Sequence, residues 1–165
     1  KGLGCGFPIS AVVAKESIFE SFNKTEKFIF STYGANPVCA AAANAVLDVI
    51  EEENIQNNAL ELGKVIDQYL NSIADTFDDC IEVRGKGLMW GIELEPDIAS
   101  KVFEDLKDRN FLVGLGGSRK NVLRVMPPMC ITKSDLKNFY FALYETMEKH
   151  SVKKNAFNKN NLRFK

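Results

Sequence analysis

From Ile81 to Met147 the apolar residues alternate between two spacings, and this alternation limits the fold more than any other feature of the chain. Ile81-Glu82-Val83 reads as a strand and Gly85-Lys86-Gly87 as the turn after it. Leu88, Trp90, Ile92 and Leu94 then alternate with Met89, Gly91, Glu93 and Glu95, the period of a half-buried strand, which Pro96 stops. Ile98, Val102 and Leu106 mark a helix. Phe111-Leu112-Val113 predicts a short strand, residues 114–120 a flexible loop, and Val122–Met126 a strand ended by Pro127-Pro128. Thr132 with Asp135 three residues later has the form of a capping box, and Leu136, Tyr140, Leu143 and Met147 give the last helix its apolar face. The order β, β, α, β, β, α predicts an α+β module, an antiparallel sheet with helices on one face.

Upstream the signals are helical. Asn36 is a good helix N-cap and Pro37 is pre-organised for the first helical position. The Cys39–Ala43 run that follows is either a small-residue packing surface or simply a stretch of high helix propensity. Leu62, Val65, Ile66, Tyr69, Leu70 and Ile73 form one apolar stripe of a second helix. Before these, Ile9–Ala14 suits a short buried strand and Glu16–Phe22 a short helix or turn. The segment Asn155–Lys165 is polar, basic and unpatterned, and is expected to be disordered.

Composition excludes several classes. A net charge of −1 makes no electrostatic case for nucleic-acid binding. The charge is uneven: Lys153, Lys154, Lys159, Arg163 and Lys165 lie in 151–165 with no acid, leaving −6 on residues 1–150. Four scattered cysteines and a single histidine give neither zinc spacing nor a disulfide framework, so no metal is expected and reduced thiols in an intracellular compartment fit best. No apolar run reaches the ~18 residues of a membrane span. With no initiator Met and no leader segment, the chain is expected to be a piece of a longer polypeptide.

The residues that carry chemistry are few. The opening segment Lys1–Val13, KGLGCGFPISAVV, sets a lysine beside glycines at 2, 4 and 6, where bare backbone can approach a flat or charged ligand. Taken alone, Lys1 is a surface lysine before a flexible loop, an anchor for phosphate, or a nucleophile toward a carbonyl. Ser31-Thr32 precede a helix N-terminus whose free N–H groups would suit an anion; taken alone, Thr32 reads as a turn hydroxyl. Arg124 is a charge inside an apolar strand. It is a structural ion pair, an edge-strand residue facing water, or a planar fork for a carboxylate. Arg84 and Lys86 read as an exposed turn between strands rather than a phosphate site. The G-x-x-x-x-G-K-[ST] order of a nucleotide-binding loop is absent.

Four segments in order, KGLGCGFPISAVV, STYGANPVC, VRGKGLMWGIEL and LRVMPPMCITK, resemble the class III aminotransferases that use pyridoxal 5'-phosphate. The resemblance spans essentially residues 1–150, with two departures. Cys5 stands where the family usually has Gly or Asn, and Ala35 where it usually has the second Gly of a Gly-Gly-Asn-Pro turn. The resemblance implies that Lys1 holds the cofactor covalently and then moves a proton between the substrate Cα and the cofactor C4′. It implies that Thr32, with Ser31 beside it, meets the cofactor phosphate of the neighbouring subunit, and that Arg124 binds the substrate α-carboxylate. The implied fold is α/β plus α+β, the C-terminal part of a fold-type I transferase. Residues 1–54 would end the large cofactor domain, 55–150 would form the small domain, and 151–165 a disordered basic tail. Length alone argues for one domain; the resemblance divides the chain in two, and we adopt the division.

EDLKDRNFLVG followed by LRVMPPMCITK looks most like the mitochondrial-type alanine–glyoxylate aminotransferases. That implies an amino acid such as alanine, a 2-oxo acid such as glyoxylate, a homodimer or higher homo-oligomer, and a mitochondrial location. Ornithine and acetylornithine enzymes, or an aminomutase, share the broader motifs. A degenerate, non-catalytic interaction piece is the alternative from another class. In this family the phosphate loop, the stacking aromatic and the acid holding the pyridinium nitrogen precede the lysine, so the isolated chain is expected to be inactive.

Overall fold

The computed structural model describes residues 2–25 and 30–154. The chain divides into two compact units, Lys1–Ile55 and Gln56–Lys165.

In the first unit, two tight turns, Cys5 N–H to the Gly2 carbonyl and Phe7 N–H to the Gly4 carbonyl, open the chain. Helices α1 (Glu16–Asn23) and α2 (Pro37–Glu52) follow. Asn36 caps α2, its Oδ1 accepting from Val38 N–H at 3.0 Å and Cys39 N–H at 3.2 Å, with Pro37 at the first helical position. The strand expected over Ile9–Ala14 does not form. A strand needs a hydrogen-bonding partner, and among the described residues this segment pairs with none; Val12 and Val13 are left 82% and 95% exposed.

In the second unit the elements run α3 (Ile55–Thr76), β1 (Cys80–Lys86), β2 (Met89–Leu94), α4 (Pro96–Asp108), β3 (Gly114–Gly116), β4 (Val122–Val125) and α5 (Lys133–His150). The four strands form one antiparallel sheet in the order β1-β2-β4-β3. Trp90, Ile92, Leu94, Leu123 and Val125 turn to the core, where they join Leu62, Ile66, Leu70 and Ile73 of α3, Val102 and Leu106 of α4, and Leu136, Leu143 and Met147 of α5. The alternating and helical periods read from the sequence are therefore the buried faces. Thr132 and Asp135 complete the capping box, Thr132 N–H donating to Asp135 Oδ2 at 3.1 Å and Asp135 N–H to Thr132 Oγ1 at 3.2 Å.

Four details differ from the sequence pattern. Cys80 pairs with Leu94 and Glu82 with Glu93, so Ile81 is the extra residue of a bulge and is exposed, where the plain alternation of a strand would set it on one face with Val83. β1 also continues through Gly85 and Lys86, which removes Arg84 from the turn. The strand expected at 111–113 lies three residues later, at 114–116, because the ladder with β4 pairs Gly114 with Arg124 and Gly116 with Val122. Finally, residues 151–154, assigned above to the tail, cap α3. Lys154 N–H donates to the Thr76 carbonyl at 2.8 Å and its Nζ to the Ala74 carbonyl at 2.6 Å, giving two terminal carbonyls partners and placing a cation at the helix C-terminus. The rest of the tail, 155–165, lies outside the described residues.

Candidate active site

Lys1 lies outside the described residues, and the loop that follows it is built by sterics. A Cβ at Gly4 would stand 2.2 Å from the Phe7 carbonyl oxygen, so only glycine closes that turn. Cys5 and Ala35, the two departures from the family pattern, both have left-handed backbone, at φ 43° and 56°. Glycine or asparagine takes that conformation at least cost.

Ser31 and the start of α2 line an open cleft of about 760 Å³ together with Pro8, Ser10, Tyr33 and Asn36. The helix N-terminus at this cleft does not offer the free N–H groups expected. Pro37 has none, Val38 and Cys39 donate to Asn36 Oδ1, and Ala40 donates to the Asn36 carbonyl. An anion here would have to be met by hydroxyls. Ser31 and Thr32 are both exposed, and neither hydroxyl is engaged among the described residues. Two free hydroxyls beside a small-residue turn are donors that fit the edge of a phosphate, so this half-site is compatible with the cofactor phosphate.

Arg124 belongs to the second unit, on the outer face of the sheet. Register sets Arg84, Gly91, Arg124 and Gly114 in one cross-strand row, and Glu82, Glu93, Val122 and Gly116 in the next. The acids of that face are already committed. Arg84 Nη1 donates to Glu82 Oε2 at 2.7 Å and Glu93 Oε2 at 2.8 Å, while Arg119 Nη2 and Asn121 Nδ2 donate to Glu93 Oε1 at 3.2 and 3.3 Å. The Arg84 hydrogen bond, then that of Asn121, holds the Glu93 carboxyl below its ordinary range. Arg84 is thus an ion-pairing strand residue and not the exposed turn expected.

Arg124 is exposed, and its guanidinium makes no hydrogen bond or ion pair among the described residues. The sheet order makes β4 an interior strand, so neither a structural ion pair nor an edge position accounts for it. The Glu93 cluster was missed in the sequence, although the alternation of β2 places Glu93 on the outer face and signals it. No group of His, Cys, Asp and Glu that could hold a metal occurs among the described residues.

The family model described as aminotransferase class-III matches residues 1–147. The chain is similar to alanine–glyoxylate aminotransferase 2, mitochondrial, of Homo sapiens, 38% identical over 165 residues that cover 92% of this chain and 32% of that protein. It is 36% identical to alanine–glyoxylate aminotransferase 2 homolog 2, mitochondrial, of Arabidopsis thaliana, covering 90% of this chain and 33% of the relative. Among solved structures, a phospholyase from Arthrobacter in complex with phosphoethanolamine superposes with a TM-score of 0.83 at 30% identity, over 88% of this chain and 36% of that one. The chain spans about a third of the length of the curated relatives it matches. The mixed fold, with its small antiparallel sheet, is that of fold-type I pyridoxal-phosphate transferases, and by sequence and by fold the chain belongs to the class III aminotransferase family.

Proposed function

We propose that the protein to which this chain belongs transfers an amino group between an amino acid such as alanine and a small 2-oxo acid such as glyoxylate, with pyridoxal phosphate as cofactor. In this reading residues 1–54 end the large domain, 55–150 form the small domain, and the active protein is a homodimer or higher homo-oligomer working in the mitochondrion. When bound, the cofactor supplies an electron sink for the charge left on the substrate Cα. Lys1 holds the cofactor and, once its amine is free, moves the proton at that Cα; a lysine does this only in its neutral form, so its surroundings must disfavour the charge. Ser31 and Thr32 donate their hydroxyls to the cofactor phosphate of the neighbouring subunit. Arg124 receives the substrate α-carboxylate.

The observation that carries the substrate reading is the uncommitted guanidinium of Arg124, set on an open face where every neighbouring arginine already has an acid. A planar fork takes a carboxylate through two parallel hydrogen bonds, which an ammonium cannot reproduce. Charge-assisted hydrogen bonds are worth roughly 1.5–3 kcal/mol each, so Arg124→Lys in the complete enzyme lowers kcat/KM for alanine roughly 10- to 150-fold. The single-turnover rate with ethylamine, alanine without its carboxylate, stays nearly unchanged, as does cofactor absorbance. Equal losses with both amines would remove Arg124 from the substrate site.

A further inference from the structure

The segment Gly114-Leu115-Gly116 is an unfavourable sequence for a strand. Two of its three residues are glycine, which brings no side chain to pack and the highest entropic cost of ordering. Neither has positive φ, so the backbone does not require glycine at either position. Glycine in a strand also marks places where another group approaches the backbone closely, and here that group is Arg124. The ladder sets Gly114 directly opposite Arg124. A Cβ at Gly114 would stand 2.9 Å from Arg124 Nε, 3.0 Å from Nη2 and 3.3 Å from the Arg124 Cβ. At Gly116 the corresponding distances are 3.6 Å to Nε and 3.7 Å to Cδ, ordinary contact. The guanidinium therefore lies across the bare backbone of β3, in space that a methyl group at 114 would occupy and one at 116 would not.

We propose that Gly114 is a positioning residue for Arg124: the missing side chain at 114 fixes where the carboxylate-binding fork of Arg124 sits. This rests on the reading of Arg124 as the α-carboxylate group. The two glycines make an internal comparison, since each substitution adds one methyl to the same face of the same strand, and the methyl crowds the Arg124 side chain at 114 and not at 116. The far end of a flexible side chain gives way more readily than a paired strand, so Gly114→Ala moves the arginine and leaves the sheet in place.

The test measures, in the complete enzyme, kcat/KM for alanine and the inhibition constant of propionate, which presents a carboxylate without an amine. Gly114→Ala is expected to weaken both about 10-fold, the scale of one charge-assisted hydrogen bond, with kcat/KM for ethylamine unchanged and the melting midpoint no lower. Gly116→Ala is expected to change neither constant. In an Arg124→Ala background, Gly114→Ala should add nothing, because it acts only through that side chain. Equal effects from both glycines, additivity with Arg124→Ala, or a fall in melting midpoint or in folded yield for Gly114→Ala would each overturn the proposal, since the strand would then be absorbing the methyl. If Arg124→Lys leaves alanine and propionate untouched, the reading of Arg124 fails; if it weakens both while Gly114→Ala does not, only the positioning role fails.

Discussion

At the level of single residues, Cys5 stands where the family pattern has Gly or Asn and Ala35 where it has Gly, and both hold left-handed backbone, at φ 43° and 56°. An L-residue pays roughly 1–2 kcal/mol for that conformation, part of which glycine gives back through the larger entropy of its unfolded chain. Ala35→Gly in the complete protein is therefore expected to raise stability by about 0.5–1 kcal/mol. Chemical denaturation should show a higher midpoint with an unchanged slope. A lower midpoint would mean that Ala35 is relaxed and that its small side chain contributes contacts glycine cannot replace. The sequence shows both departures, but their cost is visible only in the backbone dihedrals.

Among the elements, α4 and α5 are joined by charge as well as by the core. Asp105 Oδ2 accepts from Lys149 Nζ at 2.9 Å and lies 3.0 Å from His150 Nε2, and Arg109 Nε is 3.5 Å from Oδ1 while its Nη1 reaches Glu145 Oε2 at 2.7 Å. The Lys149 hydrogen bond first, then that of His150, lowers the Asp105 carboxyl from 3.8 to about 2. A depressed carboxyl stabilises the fold above its unfolded value and loses that contribution as pH falls through the folded one. Asp105→Asn should thus lower the melting midpoint at neutral pH, by the equivalent of ~1 kcal/mol. The gap to the wild type should close between about pH 4 and pH 2, following the cited shift. A gap that persists unchanged at pH 2 would show that the clasp is not electrostatic.

Long amphipathic helices were legible because many residues repeat one period, as Leu62, Ile66, Leu70 and Ile73 do in α3. Strands were legible where alternation or a proline marked them, as at Val122–Met126, but not where their position depends on a partner's register. Phe111-Leu112-Val113 has the better composition, yet β4 pairs with Gly114–Gly116. One bulge residue, Ile81, falls outside the alternation of its strand. Arg124 could be singled out as a charge in an apolar strand. Its relation to Gly114 could not, since the two meet only through a ladder in a segment that reads as a loop.

On the scale of the whole molecule, the two units differ in how much they bury. The core of Gln56–Lys165 runs from Leu62 to Met147 as one cluster, whereas among the described residues of Lys1–Ile55 the buried hydrophobics are Cys39 and Ala43. Val12, Val13, Ile18, Tyr33, Val38 and Leu47 are exposed there. Soluble monomers rarely leave such an apolar set uncovered, and burial contributes roughly 25 cal/mol per Å², so covering it on any available surface is favourable. The isolated chain is therefore expected to self-associate, with sedimentation that depends on concentration and with binding of a hydrophobic dye. Replacing Val38 and Leu47 together by lysine should shift the population toward monomer while helix content is retained, because both side chains are exposed on α2. The same surface should fall silent toward the dye when the chain is part of the complete enzyme. An isolated chain that stays monomeric at every concentration, binds no dye and is unaffected by the two lysines would mean that the apolar residues of the first unit are covered within the chain itself.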